Sequence, residues 1–179
     1  MWLVGVESMM ITEFRIKYVK NSLITSDILE KIIGLKKQYW HYSFESHKKW
    51  MKENINDDDY HLWIENNSGR ILAYLNMIFF QVQFNKIFEE VVGVGNVCVS
   101  NEISGKGIGL LLMQICNYYV NYHEKRAILL CKKSLSYFYR KSGWNTFQGE
   151  VLFLGNDYNE LVMLNELPSA INIAIERNF

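Results

Sequence analysis

The sequence predicts an α/β fold of about seven strands, mostly antiparallel, and four helices in a chain of 179 residues. Two observations carry this. Residues 91–120 read as an apolar strand (91–99), a turn with Gly105, Gly107 and Gly109, and an apolar helix, which together make a strand–turn–helix junction. Around it, period-two segments are interleaved with segments of helical periodicity, and 127–131 is a short, wholly apolar run of the buried parallel type.

Residues 13–19 alternate with period two and predict the first strand. Thr25, Ser26 and Asp27 offer N-caps to a helix running to Lys37. Glu30 is placed for a capping box, and Ile28, Leu29, Ile32, Ile33 and Leu35 fall at helical spacing. The aromatic run Tyr39, Trp40, His41, Tyr42 and Phe44 leads into a second helix, 44–54, closed by an acidic turn at 56–59. Strands at 60–65 and 70–80 flank a tight turn and form a hairpin, and 81–88 connects to the 91–99 strand. The glycine turn opens a helix over 108–122. After the 127–131 strand, a helix over 135–141 is stopped by Gly143 at its C′ position, and strands are expected at 147–154 and 160–164.

With 49% apolar residues and a single proline, the chain is expected to be one domain over 1–179, with a core at 12–165 and peripheral flanks at 1–10 and 168–179. Lys plus Arg and Asp plus Glu both number 19, so no global field recruits nucleic acid. Cys98, Cys116 and Cys131 form no CxxC pair, and His41, His47, His61 and His123 form no HExxH arrangement, so no metal is assigned. The apolar start lacks a basic region and no run of 18 apolar residues occurs, which predicts a cytoplasmic protein with no membrane partner. Met9 and Met10 leave the natural start open, and a homodimer is likewise left open.

A glycine turn leading into a helix suits phosphate, because glycines let backbone N–H groups approach an anion at the positive end of the helix dipole. Walker A is excluded by Ser100 and Gly107, which stand where it needs Gly and Ser or Thr. The dinucleotide fingerprint fails at Leu110, where it needs glycine. The turn instead resembles motif A of the GCN5-related N-acetyltransferase (GNAT) superfamily, Arg or Gln, two residues, Gly, one residue, then Gly or Ala. Gly107 and Gly109 fill the glycine positions and Ser104 stands where Arg or Gln is usual. Further on, Phe138-Tyr-Arg-Lys-Ser-Gly-Trp144 resembles motif B, and the order of elements is that of the GNAT fold. Residues 90–165, including the run from Gly143 to Gly149, look most like bacterial aminoglycoside 2′-N-acetyltransferases.

The resemblance implies a mixed sheet with helices on both faces, splayed where the 91–99 and 127–131 strands part. It also implies an acetyl-CoA-dependent N-acetyltransferase acting on a small-molecule amine, such as an amino sugar or aminoglycoside, by direct attack in a ternary complex. The alternative is a non-catalytic acyl-CoA-binding or regulatory module on the same fold. By resemblance the pyrophosphate sits on backbone N–H groups of Ser104, Gly105, Lys106, Gly107, Ile108 and Gly109, and the pantetheine pairs along Val97, Cys98 and Val99. Lys106 adds charge, Lys132 stands at a cofactor-contacting position usually held by Asn, and Tyr139 protonates the departing sulfur. A phenol with an ordinary pKa of about 10 suits a thiolate of similar basicity. The glutamate that serves as base in the aminoglycoside enzymes is replaced here by Gly95, so the base is unassigned, with Glu89, Glu90 and His61 as weak candidates. Asp57, Asp58 and Asp59 are weighed as a substrate-binding cluster, and Tyr39, Trp40, Tyr42 and Phe44 as a stacking wall.

Overall fold

The computed structural model describes residues 14–158 and 160–179. Glu13, the 1–10 flank and Met9 and Met10 lie outside the described residues. The elements run β1 (Phe14–Lys20), α1 (Ser26–Lys36), α2 (Phe44–Asn54), β2 (Tyr60–Asn66), β3 (Ile71–Phe84), β4 (Ile87–Val99), α3 (Ile108–Tyr122), β5 (Arg126–Cys131) and α4 (Ser136–Lys141). Then come β6 (Asn145–Thr146), β7 (Glu150–Phe153), β8 (Asn156–Asp157), β9 (Leu161–Leu164) and β10 (Asn172–Ile175).

Thr25, not Asp27, caps α1 by accepting the Ile28 N–H, so Glu30 lies beyond the capping-box position. Ser43 caps α2 in the same way. Strands β1 to β4 form an antiparallel meander, β4 pairs in parallel with β5, and β9 runs antiparallel to β5 with β6 at the edge. Strand alternation sorts the side chains into two cores. One lies under α1 and α2, with Ile32, Ile33, Met51, Tyr74 and Cys98. The other lies under α3 and α4, with Leu112, Cys116, Ala73, Val92 and Trp144.

Among the described residues the sheet is larger than expected, with ten strands. The 81–88 segment is not a connection: Val82 and Phe84 continue the alternation of β3, and a two-residue turn with Asn85 at φ 55° folds it directly into β4. The 168–179 segment is not peripheral. β10 pairs with β7 and with the far end of β3, burying Ile173 and Ile175, and Arg177 donates to the Asp59 carboxylate and to the Asn54 and Phe79 carbonyls.

Candidate active site

The site forms where β4 and β5 separate. Their pairing covers Val91 to Gly93 against Arg126 to Ile128 and then stops. The Ser100 N–H still reaches the Leu72 carbonyl of β3. By the two-residue alternation of backbone polarity, the N–H and C=O groups of Val97 and Val99 therefore face the side that β5 has left. Tyr39 donates from the α1–α2 segment to the Val99 carbonyl. A bulge sits just before this stretch. The register with β3 shifts between Tyr74 and Asn76, and Asn96 takes φ 54°.

The turn that follows carries Ser104, Gly105, Lys106 and Gly107 exposed at the surface. Gly107 is the N-cap of α3 at φ 84°, a conformation that disfavours any Cβ, and no side chain caps the helix. The first N–H groups of a 15-residue helix are thus left for an outside acceptor, at the positive end of its dipole. Gly109 sits where a Cβ would come within 3.2 Å of Val99 and 3.3 Å of Phe138, so its lack of a side chain lets α3 close onto β4 and α4. An exposed anion cradle beside an open strand edge fits a pyrophosphate followed by an amide-bearing arm.

Tyr139 projects from α4 into the α3–α4 core and is 6% exposed. Its hydroxyl makes no hydrogen bond among the described residues and is not among the enclosed unpaired atoms, so it keeps an open side. Burial pushes its phenol above the ordinary value, with neighbouring thiols adding to the shift. Its position is fixed by the turn after α4. Gly143 takes φ 90°, and Asn117 of α3 donates to the Ser142 carbonyl at 2.7 Å while accepting the Trp144 indole N–H at 3.0 Å. Lys132 stands exposed at the end of β5.

The weaker base candidates are all spoken for. Glu89 pairs with Arg126, and Glu90 with Lys125 at 2.8 Å, near the opposite end of β4. His61 is fully buried between the Tyr74 hydroxyl (2.8 Å) and the Asn21 side chain (2.9 Å), and burial lowers its pKa to about 4. The Asp run is structural. Asp58 pairs with Lys20, and buried Asp59 accepts from the backbone N–H groups of Asn56 and Phe79.

A cleft of about 520 Å³ opens between α1, α2 and the β4 bulge, bordered by Lys36, Trp40, His47, Trp50, Asn96 and Phe179. The sequence reading weighed only Trp40 of these as a site residue; Lys36 and His47, both buried, are the two that carry chemistry. His47, 4% exposed, donates from Nε2 to the Trp40 carbonyl at 3.0 Å, because a carbonyl can only accept; Nδ1 then carries the lone pair. Nδ1 has no hydrogen-bond partner among the described residues, and His47 lines the cleft. Burial lowers the pKa of His47, and Lys36 and Lys37 add to this, so the ring is neutral at pH 7. Neither residue had a local signal, because the chemistry arises only when α1, α2 and β4 meet. Of the expected stacking wall, Trp40 and Tyr42 border the cleft while Phe44 packs on the core.

An open strand edge, an uncapped helix start and a buried phenol thus lie on the α3–α4 side of the sheet. The sequence model of the acetyltransferase (GNAT) domain matches residues 25–160. The chain belongs to the GNAT acetyltransferases and is an acyltransferase. Solved structures agree in fold. The GNAT protein YhbS of Escherichia coli in complex with CoA superposes with a TM-score of 0.66 at 16% identity, covering 92% of this chain and 90% of YhbS. E. coli ElaA gives 0.64 at 18% identity, covering 86% of this chain and all of ElaA. Glucosamine-6-phosphate N-acetyltransferase of Arabidopsis thaliana gives 0.50 at 25% identity, covering 72% and 90%. No curated protein sequence matches significantly. Among the described residues no helix is long and apolar enough to cross a membrane, and no group of three or more His, Cys, Asp or Glu is arranged to hold a metal ion.

Proposed function

We propose that the protein transfers the acetyl group of acetyl-CoA to a primary amine of a small molecule, by direct attack in a ternary complex. The single observation that carries the reading is that the Val97 edge left by β5, the uncapped start of α3 at Ile108 and the unpartnered Tyr139 phenol belong to one packed cluster under α3 and α4.

In this reading the N–H groups from Ser104 to Gly109 hold the pyrophosphate, with Lys106 adding charge, and the edge of Val97 to Val99 takes the pantetheine arm. The amine enters from the cleft bordered by His47. Its nitrogen forms a bond to the thioester carbonyl carbon, and the carbon–sulfur bond breaks. His47 Nδ1 takes the proton released by nitrogen, and Tyr139 gives its hydroxyl proton to the leaving sulfur. Amino sugars and aminoglycosides belong to the amines considered, on the strength of the sequence resemblance over residues 90–165.

The test is amine-dependent release of free thiol from acetyl-CoA across aminoglycosides, amino sugars, amino acids and polyamines. Turnover is expected with at least one class. Stabilisation by CoA without turnover on any amine would overturn this reading in favour of a non-catalytic acyl-CoA-binding module.

A further inference from the structure

The cleft beside the β4 bulge contains a positive charge that no side chain answers. Lys36, at the end of α1, is 1% exposed, and its Nζ stands 4.8 Å from the ring centroid of Trp50. Its ammonium makes no ion pair or hydrogen bond among the described residues. The nearby Cys98 is no counter-ion, because burial pushes its thiol up to about 12. A buried ammonium without an anion is costly, and proteins rarely keep one unless something arrives to pair with it.

One further observation points the same way. The side chains bordering the cleft include no carboxylate. The cleft thus offers an ammonium and aromatic walls at Trp40, Tyr42 and Trp50. No side chain bordering it offers a carboxylate to a polycation.

We propose that the acceptor is a primary amine that also carries an anionic group, a carboxylate or a phosphate, which pairs with the Lys36 ammonium while the remainder lies against the aromatic walls. This rests on the acetyltransferase reading above. A polycationic aminoglycoside is a poor occupant, since it would meet Lys36 with like charge. The two anion sources share this chemistry, and the ring systems that carry them, an aromatic ring or a sugar, both stack on indole and phenol faces.

The experiment compares matched pairs: L-phenylalanine against its methyl ester, and glucosamine 6-phosphate against glucosamine, with kanamycin as the polycation. For at least one pair, kcat/KM for the anionic member is expected to exceed that of its neutral partner by about tenfold or more, as a charge-assisted pair in a desolvated site supplies. In Lys36→Met that ratio should fall to about one, and in Lys36→Arg it should largely persist; Lys36→Gln replaces Met if that variant fails to fold. The responding pair identifies the anion. Equal rates within both pairs of the wild-type protein, a ratio unchanged by Lys36→Met, or kanamycin as the best acceptor would each overturn the proposal. Quenching of tryptophan fluorescence, measured with CoA present, separates this from the enzyme reading. Anionic ligands that bind without turnover, and lose binding in Lys36→Met, would support the pocket and overturn the transferase. No binding by any of the four paired compounds would overturn the pocket.

Discussion

Replacing Lys36 by Met should stabilise the protein at pH 7, against the usual direction of core substitutions. Burial lowers the Lys36 pKa from 10.5 to about 8. A shift of 10.5 minus 8, or 2.5 pH units, corresponds to roughly 3 kcal/mol by which the fold disfavours the charged form. The Trp50 face, 4.8 Å away, returns up to about 2 kcal/mol to a desolvated cation. A methionine of similar length keeps the packing and carries no charge, so a gain of about 1 to 3 kcal/mol is expected at pH 7. For a chain of this length that is a few to about 10 °C in Tm. The sign with pH follows from the lowered value. Below about 8 both folded and unfolded chains carry the proton and the full penalty stands. Between 8 and 10.5 the folded chain has lost the proton that the unfolded chain still binds, so wild-type stability rises with pH. Urea unfolding of both proteins at pH 7 and pH 10 is the assay. The variant's advantage should be largest at pH 7 and shrink towards pH 10. A variant less stable at pH 7, or an advantage independent of pH, would refute the unpaired-ammonium argument.

Other expectations concern the chemistry. Tyr139→Phe should lower kcat about 10- to 1000-fold with CoA affinity little changed, read by steady-state kinetics and CoA titration. His47→Gln should lower kcat/KM at neutral pH. In the wild-type protein, activity should fall as pH drops through the lowered His47 pKa, below 6.5, where the ring protonates and ceases to accept; that limb should disappear in the variant. Gly107→Val forces a β-branched residue to φ 84°, at a cost of roughly 1–2 kcal/mol, and crowds the anion cradle, so the thermal shift with CoA should be lost. Asn117→Ala removes both ties that seat the α4 turn, leaves the Trp144 indole N–H unpaired, and should cost about 1–3 kcal/mol in urea unfolding together with reduced kcat.

The parts of the fold set by local sequence were legible in it. The α3 boundaries follow from the glycine turn and a long apolar run, and the hairpin of β2 and β3 from alternation around Asn66 to Gly69. The fork between β4 and β5 could be expected from the family resemblance. What escaped either had a quiet signal or had none. Val82 and Phe84 continue an alternation that Gln81 and Gln83 interrupt only on the exposed face, and Ile171, Ile173 and Ile175 alternate at the start of what proves to be β10. The aromatic wall of the cleft at Trp40 and Tyr42 was legible, but its Lys36 and His47 had no sequence signal. Lys36 ends an amphipathic helix whose pattern gives lysine to solvent, and His47 sits in a polar helix, yet tertiary packing buries both beside Asn96. The Asp57 to Asp59 run shows the converse, since an apparent binding cluster becomes one buried hydrogen-bond hub and one surface ion pair.

A crystal structure of the protein with CoA bears most directly on the central claim. It should show the pyrophosphate on the N–H groups of Ser104 to Gly109, the pantetheine amides paired with Val97 and Val99 in the gap between β4 and β5, and the sulfur within hydrogen-bond reach of the Tyr139 hydroxyl. CoA bound away from that gap, or with its sulfur remote from Tyr139, would contradict it.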